Sequence, residues 1–598
     1  MKKRTDVPLQ YTWDTSSLYS SQQAWEDDLQ EICKQVGRIV DSKGKITTSA
    51  PNLLEALQLM DQIGIKLEWA ASYARMNFDV DMGSAASKQN YERIDNLYSK
   101  IGPELAFYEP ELLKLEPAVF EQFVSEQPAL KTYAFMFEKL FKEKEHVLST
   151  NEEEILSRMG SLSSTFKKIF DDITVLDLEF PEIDDGQGKK ITANETNYRI
   201  ILNSYDRDLR ERYFKAFLGA YGSHINSLTS SATGNLKYRV FTAKTRKYAT
   251  SRQMSLDQNH IPVAVYDTLI RTVRENAHLL QRYIAFRQQT LQYKDIHFYD
   301  LFVPLVKDVE KTFTFEEARD IVLDALSILG PDYQKVLQTA FSQRWIDVYP
   351  NKGKTPGAYA SGIFNLHPYS LLNFTGTMDD IFTIAHELGH VMHSYYSNRT
   401  QPYVDSDYVI FTAEVASTVN EYLLYRYFLN RSTSKDDKAY LLSMHLDSIR
   451  STLYRQTFFA DFEQQMHDMV EQDTPVTPDF LCDSYRKLYE LYHGPDFSID
   501  DELTYEWARI PHFYNSFYVY QYATGLSAAI TLAKGILAEG GQKTSAALSA
   551  YLNFLTRGGS DYPINLLKGA GVDLSTSAPI IAALQDFSDT LELLMQTL

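Results

Sequence analysis

The run His386-Glu387-Leu388-Gly389-His390 restricts the fold of this chain more than any other stretch. Its two histidines are useful together only if the segment is a helix, because residues four apart then share one face and both imidazoles can reach one ion. The flanks from Asp379 to Tyr396 agree. Thr377 and Asp380 have the spacing of a capping box, and Asp379 and Asp380 suit the positive end of a helix. Ile381, Ile384, Ala385, Leu388, Val391 and Met392 make an apolar stripe at helical period. Gly389 breaks the pattern. A glycine inside a helix costs about 1 kcal/mol against alanine, which points to a close approach by another group. With Glu387 able to reach a water on the ion, the residue types are those of a zinc-hydrolase centre: two nitrogen ligands and a general base.

Catalytic zinc takes a third protein ligand and keeps one position open. His393 fails on geometry, since it lies seven residues past His386, about 10 Å along the axis. It is a histidine that packs or supports a ligand from behind. The metzincin spacing, with a histidine six residues after the second motif histidine, meets Tyr396 instead. Glu414 is the better ligand. Asp407 to Leu424 reads as a second helix after the polar loop 397–407, and a helix–loop–helix brings it back beside the first. On it Glu414, Ser417 and Glu421 share one face, while Val415, Ala416, Val419 and Leu423 mark the helix as largely buried. A buried carboxylate needs a partner, and a metal is a good one. Glu421 and Ser417 are candidates for supporting groups.

These residues carry a resemblance. His386-Glu-Leu-Gly-His390-Val-Met-His393, Phe411-Thr-Ala-Glu414-Val-Ala-Ser417 and Asn420-Glu421 resemble the thimet-oligopeptidase family of zinc metallopeptidases, and most of all its bacterial oligoendopeptidase F branch. Tyr11-Thr-Trp13-Asp14, Leu148-Ser-Thr-Asn-Glu152, Arg557-Gly-Gly-Ser560 and Leu567-Lys-Gly-Ala-Gly571 extend it over roughly the whole chain. The resemblance implies one Zn2+ on His386, His390 and Glu414, with Glu387 as general base. It also implies a mainly α fold, with two helical lobes around a deep substrate channel and a small β-sheet near the motif helix. The narrow channel implies short peptides as substrates.

The resemblance further implies a histidine and tyrosines that steady the tetrahedral oxyanion from a loop just before a helix. His512 fits. Tyr518 and Tyr522, four apart, would share a helical face, and Tyr514 and Tyr520 remain alternatives in a chain with 40 tyrosines. Upstream, Gly357 to Phe374 has strand-like composition with flanking glycines. It is either an edge strand that takes the substrate main chain, as strand addition does elsewhere, or a plain hairpin with His367 in its turn.

Composition narrows the partners. Net charge is −20, from 79 acidic and 59 basic side chains, which disfavours nucleic acid and anionic membranes. Cys33 and Cys482 are far apart and make no CxxC pair. With no apolar signal core and no apolar run approaching 18 residues, a cytoplasmic protein is expected. Helical periodicity fills 22–40, 52–78, 87–107 and 111–126. A capping box at Ser149 and Glu152 opens a helix through Phe170. Residues 173–180 and 190–202 read as a β pair, Asp206 opens a helical run to Leu236, and 351–357 is a polar loop. A boundary near 190 separates an amino-terminal helical region, 1–190, from a catalytic region, 191–598.

The expected chemistry is zinc-dependent endopeptidase cleavage of short oligopeptides, with Glu387 passing a proton from water to the leaving amine. The alternatives are a carboxypeptidase or dipeptidyl carboxypeptidase on the same scaffold, and a non-catalytic peptide-binding homologue. An intact Glu387 argues against the last.

Overall fold

The amino-terminal apolar stripes form helices close to where their period puts them. In the computed structural model, which describes residues 2–306, 311–538 and 545–598, these are α1 (Gln22–Asp41), α2 (Ala50–Asp79) and α3 (Ala85–Leu105). Each starts at a serine, Ser21, Ser49 or Ser84, whose side chain accepts from a backbone N–H in the first turn. The described chain is mainly α-helical with three small sheets.

The chain forms two compact units, and neither is contiguous in sequence. One comprises Met1–Glu145, Lys311–Leu424 and Leu532–Gly571; the other comprises His146–Glu310, Tyr425–Thr531 and Val572–Leu598. A boundary near 190 cuts the chain by position, whereas these units are assembled from segments distant in sequence. In the first unit, Trp25, Ile32, Val36, Leu53, Ile63 and Phe137 belong to one buried cluster with Ile363, Tyr369 and Leu371. Its three-stranded sheet holds β1 (Ile346–Asp347), β2 (Tyr359–Ser361) and β3 (Tyr369–Leu371) in the order β1-β3-β2. The central β3 runs parallel to β1, with Ile346 opposite Ser370, and antiparallel to β2, with Tyr359 opposite Leu371. The strand expected in 357–374 is therefore a β2–β3 pair with β2 at the edge, and His367 lies in its connection.

Several expectations are corrected. The 111–126 helix is two, Tyr108–Leu112 and Pro117–Glu126, because Pro117 cannot donate into a continuing helix and suits a first turn instead. Residues 173–180 are not a strand. The capping box of Ser149 and Glu152 does open a helix, Thr150–Asp171, which continues into a π-helical turn at Asp172–Asp177. The β pair is only Glu182–Asp184 with Lys190–Thr192, and Glu195–Leu202 is helical behind the Asn194 cap. Asp206 caps a helix as expected, but the run is broken at His224 into Arg207–Ser223 and Ile225–Thr245. The polar segment 351–357 is anchored. Lys354 has a fully buried side chain 2.8 Å from Asp347 and donates to the Tyr349 carbonyl at 2.9 Å, and buried Asn351 donates to the Val80 carbonyl. An ammonium out of water needs such partners, and their presence fixes the approach to β2.

Candidate metal centre

The motif segment is helix α4 (Met378–Thr400), and the capping box of Thr377 and Asp380 is formed at its start. The polar segment that follows turns through a short 3-10 helix, Tyr403–Asp405, into α5 (Ile410–Arg431). Gly389 explains how closely these helices cross. A Cβ on it would lie 2.4 Å from the Ser417 Cα, 2.6 Å from the Ser417 nitrogen and 2.7 Å from the Ala416 oxygen. Only glycine fits there. Buried Asn420 fixes the same crossing, because its amide donates to the Ala385 carbonyl at 3.0 Å and its oxygen accepts from the Tyr333 hydroxyl at 3.1 Å.

This crossing carries Glu414 to the two histidines. His386 Nε2 lies 3.2 Å from His390 Nε2, and Glu414 Oε2 is 3.5 Å from the first and 3.6 Å from the second. Four tetrahedral ligands about 2.0–2.1 Å from a zinc ion stand about 3.3–3.4 Å from one another. The three donors fit that set, and His386, His390 and Glu414 could together hold a metal ion. Glu421 accepts from His386 Nδ1, which leaves Nε2 free as a ligand, and the Ser417 hydroxyl is 3.1 Å from Glu414 Oε2.

Burial disfavours charge on both His386 and Glu414, but their surroundings outweigh it. His390 and His386 draw Glu414 down to about 2, and Glu421 draws His386 up to about 9. Glu387 differs. Burial raises its carboxyl above the usual range, and its buried Oε2 has no hydrogen-bond partner among the described residues. A buried polar atom left over beside a ligand set is suited to a group that arrives with substrate or water.

His393 is 1% exposed, stacks on Tyr408 at 3.7 Å and is pushed down to about 3 by burial, so it packs rather than ligates. Residues of the motif helix, β2 and the α4–α5 turn line a cleft of about 900 Å³ that also contains Asp61 and Glu68 of α2. Those two acids, and the anchoring role of Asn420, are not apparent from the motif alone. The available signal is the row Asp61, Gly64, Glu68 at spacings of three and four on a helix otherwise rich in buried apolar residues. In the other unit His512 sits in a 3-10 turn and forms a ring cluster with Tyr518 and Tyr522, with centroids 6.3, 6.3 and 5.5 Å apart. Tyr514 and Tyr520 face inward instead. Tyr514 donates to the Ser231 hydroxyl at 3.0 Å, and Tyr520 packs on Tyr266.

A helical fold in which His386, His390 and Glu414 could hold a metal ion beside the Glu387 carboxyl has the arrangement of a metal-dependent hydrolase. Residues 200–586 match peptidase family M3, and residues 111–180 match the family described as Oligopeptidase F. The chain belongs to peptidase family M3, whose members are metallopeptidases, and is a peptidase. It is 38% identical to Oligopeptidase PepF of Bacillus subtilis (strain 168), over 98% of this chain and 87% of that one. It is 35% identical to Group B oligopeptidase PepB of Streptococcus agalactiae serotype III (strain NEM316), over 98% and 97%. The crystal structure of oligoendopeptidase-F from Enterococcus faecium superposes with a TM-score of 0.74 at 32% identity, covering 96% of this chain and 99% of that one. Among the described residues no helix is long and apolar enough to cross a membrane, and both cysteines are unpaired.

Proposed function

We propose that this peptidase is a zinc-dependent endopeptidase that cuts short oligopeptides internally. The observation that carries the reading is the spacing of the His386, His390 and Glu414 donors, at 3.2 to 3.6 Å, beside the Glu387 carboxyl, whose Oε2 has no hydrogen-bond partner among the described residues. His386, His390 and Glu414 would hold the zinc ion, which would supply Lewis acidity and activate a water for attack. Glu387, next to the first of the two motif histidines, takes the proton from the attacking water and hands it to the leaving amine nitrogen. Glu421 keeps His386 in the tautomer that presents Nε2. The free edge of β2 offers backbone groups to an extended peptide. By the resemblance to the family, His512, Tyr518 and Tyr522 are the candidates for neutral donors to the oxyanion. The relatives' names, oligopeptidase and oligoendopeptidase, support short peptides as the substrate class.

The test uses internally quenched peptides with both termini blocked, with and without chelator, beside Glu387→Gln, with cut sites mapped by mass spectrometry. Chelator and Glu387→Gln should each remove at least about 10³-fold of the cleavage rate. Release of only terminal residues, or indifference to chelator, would overturn the reading.

A further inference from the structure

One wall of the cleft is acidic and has no counter-charge. Asp61 and Glu68 stand on one face of α2, and Tyr403 seats between them because Gly64 has no side chain there; a Cβ on Gly64 would lie 2.6 Å from the Tyr403 ring. Asp407 joins them from the α4–α5 turn. Their polar partners are neutral. Asp61 accepts from the Tyr133 hydroxyl at 2.7 Å, Glu68 from the Phe364 N–H at 3.0 Å, and Asp407 from the Tyr408 N–H at 2.8 Å. Among the described residues no Lys, Arg or His pairs with any of the three, although the cleft is polar and large enough for several peptide residues. Burial, with Asp407 adding to it, pushes the Glu68 carboxyl up to about 7, as expected of an acid lacking a cation.

A second observation shows that the cleft is built for a ligand. Glu387, 7% exposed, lines it with Oε2 unpartnered, and the β2 residues Tyr359 and Ala360 line it at the sheet edge. The wall has a definite place relative to the metal ligands. The segment after β2 runs alongside α4, because Gly362 meets Ser394 and Asn398, and it then reaches Glu68 through Phe364. Ser394 and Asn398 are four and eight residues beyond His390, about 6 and 12 Å along the helix. At about 3.3 Å per extended residue, that distance is about two to four peptide residues.

We propose that Asp61, Glu68 and Asp407 form a subsite for a cationic group of the peptide, two to four residues from the bond that is cut. The group is a lysine or arginine side chain or the free α-ammonium. This inference rests on the peptidase reading above and adds a substrate preference to it.

The test measures kcat/KM of the unmodified protein on internally quenched peptides carrying Lys, norleucine or Glu at each position around one cut, with free or acetylated amino termini. Lys should exceed norleucine by about tenfold or more at one of these positions, and Glu should be poorest. If acetylation abolishes the preference, the α-ammonium is the cation; if not, the side chain is. Glu68→Gln and, separately, Asp407→Asn on the exposed turn should each compress the Lys-to-norleucine ratio at least threefold. Equal rates for the three residues at every position, or a ratio unchanged in both variants, would overturn the subsite while leaving the peptidase reading intact. Failure to cut any peptide would remove both.

Discussion

Gly389→Ala tests whether the metal centre depends on how closely two helices pack. The added methyl would lie 2.4 Å from the Ser417 Cα, whereas carbon atoms rest about 3.5–4.0 Å apart, so α4 and α5 must part by at least about 1 Å at that point. Glu414 is one turn from Ser417. Its Oε2, now 3.5 and 3.6 Å from the histidine nitrogens, would move to about 4.5 Å, beyond the span of one tetrahedral ion. The fold should survive, because the helix gains about 1 kcal/mol from replacing glycine while overpacking costs about 1–3 kcal/mol. The expected result is a variant with a melting temperature within a few degrees of the parent and zinc affinity at least about 100-fold weaker, since disturbing even the groups behind the ligands costs about 10–100-fold. Chelator competition on matched metal-free samples measures the affinity, and circular dichroism melts measure the fold. A folded Gly389→Ala protein with zinc affinity within threefold of the parent would refute the reasoning.

Three further outcomes are expected. Glu421→Gln removes the charge that accepts from His386 Nδ1 and should weaken zinc about 10–100-fold in the same competition assay, with a smaller loss if the amide still accepts the bond. Asn420→Ala strands the Ala385 carbonyl and the Tyr333 hydroxyl in the interior and should cost roughly 1–3 kcal/mol, read as a lower urea midpoint. Buried Glu463 is pushed up to about 8 by burial, against a hydrogen bond from the Phe517 N–H at 2.7 Å. The native state therefore keeps a proton that the unfolded chain releases near pH 4.3, and stability falls as pH rises from about 4.3 to 8. Glu463→Gln should flatten that part of the profile of melting temperature against pH; an unchanged slope would show that this carboxyl is not its source.

The grouping of the candidate metal ligands is legible in the sequence because its logic is local. His386 and His390 share a helical face by spacing alone, Glu414 follows on the next helix, and Gly389 announces a close neighbour before Ser417 is known to be that neighbour. The caps at Thr377 and Ser149 are equally local. What fails is of two kinds. The apolar run from Ile173 is too short for its period to separate strand from helix, and the preceding helix extends into it as a π-turn. The acidic wall depends on contacts such as that between Glu68 and Phe364, which are 296 positions apart, and no local pattern encodes that pairing. The same holds for units assembled from three segments each.

The shared core of the amino-terminal helices and the sheet strands also bears on synthesis. Trp25, Ile32 and Leu53 leave the ribosome about 300 residues before Ile363, Tyr369 and Leu371, which belong to the same cluster. At about 5–20 residues per second, more than 10 s separate the two groups. For that interval the nascent chain displays an unfinished apolar surface. The order of translation, more than the stability of the finished protein, thus sets when this part of the chain is most open to aggregation and most dependent on chaperones.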